Sequence, residues 1–142
     1  MASYSSAISG IGKEMKLCFI ADGLSLHTQR WVNYFADRGH EVHLISSRFT
    51  PGYEGYDTRI IKHPLIRLLP RIWKVSGYLS GLLWLFQVRR LVRIIKPDIV
   101  DAHFVTICGY LGVASGFHPL ILTAWGSDIL VAPKKNLIHY YL

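Results

Sequence analysis

The sequence is poor in the features that hold very small proteins together or place a chain in a membrane. Its 142 residues include only two cysteines, Cys18 and Cys108, too few for a disulfide framework or an unaided four-ligand zinc site. Its longest strongly apolar stretch, 77–86, is about half of the roughly 20 residues that a membrane-spanning helix needs. The first residues lack the basic start and apolar centre of a signal peptide. We therefore expect a cytoplasmic protein.

Acidic residues are missing from one long segment. Residues 61–97 contain eight lysines and arginines and no acidic side chain, whereas the whole chain carries a formal net charge of +7. A local excess of positive charge indicates a local anionic partner more than a protein that coats nucleic acid. A solvated basic helix face without a partner is the alternative.

The remaining composition is that of one folded domain. A mass of 16.2 kDa and 51% hydrophobic residues suffice for a single packed core. We interpret the serine-rich residues 1–14 as a flexible tail and residues 15–142 as the domain.

Short apolar segments alternate with helical patterns along this domain. Ser25 is a candidate helix N-cap, and Gly39 stands where a helix end favours glycine. The strand, helix and strand between 16 and 46 have the length of a right-handed crossover unit. The predicted strands are 16–21, 41–46, 58–63, 98–103 and 120–124, and the predicted helices are 26–38, 78–95 and 106–115. This order predicts an α/β fold, an open parallel sheet with helices on both faces.

In such a sheet, ligands bind beyond the carboxyl ends of the strands. The segments 22–27, 103–106 and 125–128 should therefore converge on one cleft. The first of them leads into a helix, so its backbone amides could hold an anion. It is not a G-x-G-x-x-G loop, and a dinucleotide cofactor is not indicated. Gly23 and His27 are its candidate ligand-facing residues, with turn formation and helix capping as the alternatives.

Two further groups of residues in these segments suit carbohydrate. His103 can bond a sugar hydroxyl or carry a proton near neutral pH, unless it is a buried structural histidine. An aromatic face, a flexible backbone and a carboxylate are combined in four successive residues, Trp125, Gly126, Ser127 and Asp128. Their alternative role is a helix N-cap at Ser127 or Asp128. Neither a nucleophile motif nor a metal site is indicated.

The predicted helix at 78–95 carries cations beside aromatic residues. Arg89, Arg90 and Arg93 are the candidate contacts to an anionic membrane surface, where each cation contributes about 1 kcal/mol. A peripheral position on the inner face of the membrane would follow. The sequence shows no nucleic-acid recognition motif, so we expect no nucleic-acid partner.

Three segments resemble the amino-terminal domain of family 4 retaining glycosyltransferases of GT-B fold. They are HTQRWVNYFADRGHEVHLIS at 27–46, PDIVDAH at 97–103 and TAWGSD at 123–128. The resemblance implies a Rossmann-like domain that forms the acceptor-binding half of a two-domain hexosyltransferase. A carboxyl-terminal domain of the same protein would bind the nucleotide-sugar. No metal or other cofactor is implied, because the nucleotide-sugar is a co-substrate.

The resemblance also implies roles for individual residues. His103 matches a histidine that contacts the transferred sugar or the acceptor, and Gly126 and Asp128 match a loop at the cleft. Gly23 would approach the donor phosphates or the acceptor, although the paired glycines common in this loop are missing here. In membrane-associated members the region of the basic helix meets lipid or a lipid-linked acceptor.

The paired-glutamate motif of the family, with its glutamates eight positions apart, is not found in this sequence. We expect a domain truncated before its last strand and inactive without the donor domain. The rival hypothesis is a stand-alone, non-catalytic module that binds an anionic membrane or glycolipid through the basic helix.

Overall fold

The computed structural model of the chain describes residues 13–49, 55–66 and 74–131. Strands and helices alternate through these ranges. In order they are β1 (Lys16–Ile20), α1 (Leu26–Asp37), β2 (Glu41–Ser46), β3 (Ile61–Pro64), α2 (Lys74–Ile95), β4 (Ile99–His103), α3 (Ile107–Ser115) and β5 (Leu120–Thr123), followed by a π-helical turn (Ser127–Val131). The predicted tail, 1–14, lies outside the described residues except for its last two.

The five strands form one parallel sheet in the order β3-β2-β1-β4-β5. The chain builds outward from β1 to β3, then returns to the other side of β1 for β4 and β5. The strand order therefore reverses between β1 and β4, and an open sheet offers a crevice for ligands at such a point. This arrangement confirms the predicted α/β, Rossmann-like fold.

Helices cover both faces of the sheet. Alternate residues of β1 point to opposite faces, as the pleat requires. Leu17 and Phe19 lie in the core beneath α1, whereas Cys18 and Ile20 lie in the core beneath α2 and α3. Buried Val88 of α2 belongs to the second core. Burial of each such aliphatic or aromatic side chain contributes roughly 1.5–3 kcal/mol, so both faces stabilise the sheet.

Two boundaries differ by three residues or more from those predicted. β3 begins at Ile61 rather than at 58 because a turn precedes it: the Asp57 carboxylate accepts the backbone N–H of Arg59, and the Asp57 carbonyl accepts that of Ile60. Helix α2 begins at Lys74 rather than at 78. A glycine at 77 weakens a helix by about 1 kcal/mol but does not end it.

The predicted helix ends are confirmed, and the predicted N-cap of α1 is confirmed in its position but not in its hydrogen bond. Gly39 and Gly116 follow α1 and α3 with φ of +83° and +72°, the left-handed region that glycine enters without strain. Ser25 stands at the N-cap of α1, but its hydroxyl forms no capping hydrogen bond. Across the described ranges, no helix is long and apolar enough to span a bilayer.

Candidate functional site

The segments after β1, β4 and β5 meet at the carboxyl edge of the sheet, as predicted. The His27 ring stacks on the Trp125 ring with 4.5 Å between centroids, and the His103 ring lies edge-on to Trp125 at 5.4 Å. Three residues far apart in the sequence thereby form one aromatic cluster. This cluster lies beside the point where the strand order reverses.

His103, the last residue of β4, is the buried member of this cluster and is 0% exposed. Aromatic rings surround it: Phe19 at 5.5 Å and Trp31 at 6.0 Å between centroids, in addition to Trp125. Neither ring nitrogen has a hydrogen-bond partner among the described residues, and the nearest carboxylate oxygen, of Asp101, is 3.5 Å from Nε2. The imidazole is therefore covered rather than open at the strand exit. Its role in binding stays a prediction.

Asp128 ties two of the three loops together. Its Oδ2 accepts the backbone N–H of Val105 at 2.8 Å, and its Oδ1 accepts that of Trp125 at 3.0 Å. Asp128 is only 8% exposed. The carboxylate therefore positions the loops after β4 and β5 relative to each other.

The turn that leads into Asp128 requires a glycine. Gly126 has a φ of +81°, and its carbonyl accepts the backbone N–H groups of Ile129 and Leu130 in the π-helical turn. Ser127 is exposed at the start of this turn. A π-helical turn therefore begins at Ser127, where a helix N-cap is the alternative prediction. The Asp128 carboxylate in this turn accepts backbone N–H groups of residues that precede the turn.

Gly23 is buried where the loop after β1 packs against the chain after β2. Its N–H donates to Ser46 Oγ at 2.8 Å, and its carbonyl accepts the Tyr56 hydroxyl at 2.7 Å. A Cβ at this position would collide with the carbonyl oxygen of Arg48. Close approach of two backbones is therefore the structural reason for glycine here.

Three backbone amides of this loop are already used within the protein. The N–H groups of Leu24 and Ser25 donate to the side chain and the carbonyl of Asp22, at 3.0 and 3.1 Å. Together with the bond from Gly23, three successive amides are occupied. These three amides are therefore not available to an anion, and the predicted anion site at the start of α1 stays a prediction.

A small cavity of about 140 Å³ lies next to the loop. Its polar lining includes Ser46, Cys108 and the ion pair between Asp22 and Arg48, whose atoms are 2.9 Å apart. Burial and, less strongly, the charge of Asp22 raise the pKa of the Cys108 thiol to about 12. The thiol is therefore protonated at neutral pH and is not a nucleophile there.

Two residues of α1 that lie at the site were not among the candidates predicted from the sequence. Thr28 is fully buried with no described partner for its hydroxyl. Trp31 contacts both His103 and Trp125, the latter at 6.3 Å between centroids. Helical spacing assigns these side chains to the inner face of α1, where a core role is the usual interpretation. The signal that could have identified Thr28 is a hydroxyl on that face immediately after His27.

Phe104, directly after His103, adopts a φ of +70°. This left-handed conformation is unusual for a bulky residue and costs of order 1–3 kcal/mol. The N–H of Phe104 donates to the Thr123 carbonyl at 2.9 Å, and its carbonyl accepts from Gly109 at 2.8 Å. Such strain is often found where a loop is shaped for binding.

The three predicted membrane-contact arginines are all exposed on α2, and their surroundings differ. Arg89 donates through Nε to the Ala114 carbonyl of α3 at 2.7 Å. Arg90 lines a groove between β3 and α2, and Arg93 is exposed in the last turn of α2. In the described part of the chain, no group of three histidines, cysteines or acidic residues could hold a metal ion.

The sequence model of glycosyl transferase 4-like proteins matches residues 16–142. The chain belongs to the glycosyl transferase 4-like family. The matched residues include every candidate of the cleft and all three arginines. The family relationship inferred from the three sequence segments is thereby confirmed.

Solved structures support the fold of this glycosyl transferase 4-like chain. Two crystal structures of the C-terminal domain of PF1911 hydrogenase from Pyrococcus furiosus are similar to it. One, of residues 78–226, has a TM-score of 0.54 and 16% identity over 80% of this chain and 92% of that one. The other, of residues 83–215, has a TM-score of 0.55 and 13% identity over 82% and 97%. At these identities the likeness shows the fold alone. Among curated proteins, none matches significantly.

Proposed function

We propose that this glycosyl transferase 4-like chain is the acceptor-binding half of a retaining glycosyltransferase. The observation that carries the proposal is the convergence of His27, His103 and Trp125 at the carboxyl edge of the sheet, within a chain of this family. Aromatic faces stack on the apolar faces of sugar rings, and nearby polar groups bind the hydroxyls. The cluster supplies both kinds of contact.

In this proposal each half of the enzyme has its own task. The residues of this chain hold the sugar and the acceptor. Trp125 provides a ring face, and His103 forms a hydrogen bond with a sugar hydroxyl. Asp128 holds the loops after β4 and β5 in place. A carboxyl-terminal domain binds the nucleotide-sugar and stabilises the leaving diphosphate with cations and helix dipoles, without a metal. The chain by itself would bind sugar without transferring it.

The test is turnover of a nucleotide-sugar by the protein assembled with its donor domain. His103→Ala should reduce turnover by about 100-fold or more, as loss of a positioned imidazole typically does. His118→Ala is the matched control, because His118 is exposed at the start of the segment before β5, away from the cleft. Turnover equal to wild type by a folded His103→Ala protein would refute the assignment. Activity of this chain alone would refute the division of tasks.

A second candidate function, binding to an anionic membrane surface, is favoured by the groove between β3 and α2. Four residues of α2 at spacings of four lie along one exposed stripe: Leu82, Phe86, Arg90 and Ile94. Leu82 and Phe86 are each 66% exposed. The groove has a volume of about 580 Å³, and Lys62 and Arg90 are its cationic lining residues. Apolar side chains beside cations suit the boundary between lipid headgroups and acyl chains.

Sedimentation with vesicles tests this candidate. Binding to phosphatidylglycerol vesicles should exceed binding to phosphatidylcholine vesicles and should weaken with salt. Arg90→Gln and Phe86→Ser should each reduce it, whereas Arg30→Gln on exposed α1 should not. His103→Ala and Asp128→Ala should leave it unchanged. Equal effects of Arg30→Gln and Arg90→Gln would show that net charge, rather than the groove, is responsible.

A further inference from the structure

Unpaired buried polar atoms belong to only three residues in the described part of the chain. Over the described residues, the buried side-chain polar atoms without a hydrogen-bond partner are Thr28 Oγ1, His103 Nδ1 and Nε2, and Trp125 Nε1. Each such group destabilises a fold by about 1–3 kcal/mol. They come from α1, from the end of β4 and from the loop after β5, so local geometry within one element does not explain them.

Ring contacts link His103 and Trp125 to two residues of α1 that flank Thr28, His27 and Trp31. Thr28 lies in the first turn of α1, between His27, which stacks on Trp125, and Trp31, which contacts both His103 and Trp125. His103 in turn contacts Trp125. His103 and Trp125 therefore belong to one aromatic cluster at the carboxyl edge, and Thr28 lies in the turn of α1 that carries two further rings of that cluster.

The chemistry of these groups is that of a neutral, hydroxyl-rich ligand. A threonine hydroxyl both donates and accepts, a neutral imidazole has one donor and one acceptor, and an indole N–H only donates. No lysine, arginine or glutamate belongs to the cluster. The two carboxylates beside it already have partners in the protein. Asp128 accepts the backbone N–H groups of Val105 and Trp125, and Asp101, 3.5 Å from His103, accepts the Thr123 hydroxyl at 2.8 Å.

We infer that Thr28, His103 and Trp125 form a buried subsite for a sugar hydroxyl, covered by the stacked rings of Trp125 and His27. The inference rests on the proposed function of the same cleft and adds Thr28 as a sugar contact. The rings must separate to admit the sugar, whose hydroxyls then satisfy the unpaired atoms. The unpaired groups thus lower the free energy of unfolding of the free protein and favour binding, a frequent feature of functional sites.

Thr28→Val separates binding from structure, because it removes the hydroxyl and keeps the shape. The free protein should melt at a higher temperature than wild type, since an unpaired buried hydroxyl is lost. Its affinity for a hexose should fall about tenfold. Thr28→Ser, which keeps the hydroxyl, should restore the affinity. Thr123→Val is the matched control: its hydroxyl is paired, so that variant should melt at a lower temperature.

The indole is tested in the same way. Trp125→Phe keeps an aromatic ring over His27 but removes the N–H, so hexose binding should weaken without a matching loss of melting temperature. Binding is measured on this 142-residue chain by saturation-transfer NMR with D-glucose, D-mannose and D-galactose at millimolar concentration.

The outcomes distinguish the subsite from the proposed function. A melting temperature that falls in Thr28→Val, as in Thr123→Val, would overturn the inference, because the hydroxyl would then have a partner. Unchanged hexose affinity in Thr28→Val, or no hexose signal with wild type, would also overturn it. If hexose binding depends on Thr28 but the assembled protein turns over no nucleotide-sugar, the subsite stands and the proposed transferase function fails.

Discussion

Substitution of Asp128 by asparagine tests how the two loops over the cleft are held. Both carboxylate oxygens accept backbone N–H groups, from Val105 and Trp125. Asparagine keeps one acceptor but turns an NH₂ group towards the other amide. A hydrogen bond to a buried charged group contributes about 1.5–3 kcal/mol, so Asp128→Asn should lower the free energy of unfolding by about 2 kcal/mol. Asp128→Ala leaves both amides unpaired and should lower it by about 3–4 kcal/mol.

Thermal unfolding followed by circular dichroism measures these losses. For a chain of this length, each kcal/mol shifts the melting temperature by about 3–4 °C, so Asp128→Asn should melt about 7 °C below wild type. Asp37→Asn is the control, because its exposed ion pair with Arg59 contributes less than about 1 kcal/mol. Hydrogen exchange of the Val105 and Trp125 amides should accelerate in Asp128→Asn. A melting temperature within about 2 °C of the control, with unchanged exchange, would refute the reasoning.

Three further predictions concern the surroundings of the site. Gly23→Ala places a methyl group against the Arg48 carbonyl and should destabilise the fold by about 1–3 kcal/mol; a urea midpoint equal to that of wild type would contradict this. Burial and, less strongly, the neighbouring His43 lower the pKa of His63 below its ordinary 6.5. The unfolded chain then binds the proton more tightly, so the urea midpoint should fall as the pH drops below about 6.5, and less so in His63→Gln; equal pH dependence of the two proteins would count against it. Cys108, with its pKa raised to about 12, should react with iodoacetamide only when the protein unfolds, and rapid labelling of the native protein would show otherwise.

Periodicity and turn residues predicted the fold well because both depend on local backbone chemistry. Gly39 and Gly116 mark helix ends where the backbone enters the left-handed conformation, which glycine adopts without strain. The order of elements then determined which loops meet, because the carboxyl ends of parallel strands share one edge. The meeting of His27, His103 and Trp125 followed from that order.

Hydrogen bonding at the site could not be predicted in the same way. Whether an amide is free to bind a ligand depends on partners distant in sequence. The N–H of Gly23, in the loop after β1, donates to Ser46 Oγ at the end of β2. The carboxylate of Asp128 is used by the backbone of Val105, 23 positions away. The complete burial of Thr28 and His103 likewise depends on how rings from three elements pack.

The central claim is that the carboxyl edge around β1, β4 and β5 binds sugar. Its most direct test is an NMR titration of the chain with D-glucose and with UDP-glucose, followed through the tryptophan indole N–H signals and assigned with Trp125→Phe. The Trp125 signal should shift with sugar concentration. The Trp84 signal should not, because that indole donates to the Ile66 carbonyl at 3.2 Å beneath the groove of α2. A Trp125 signal that stays unchanged while either sugar binds elsewhere would contradict the claim.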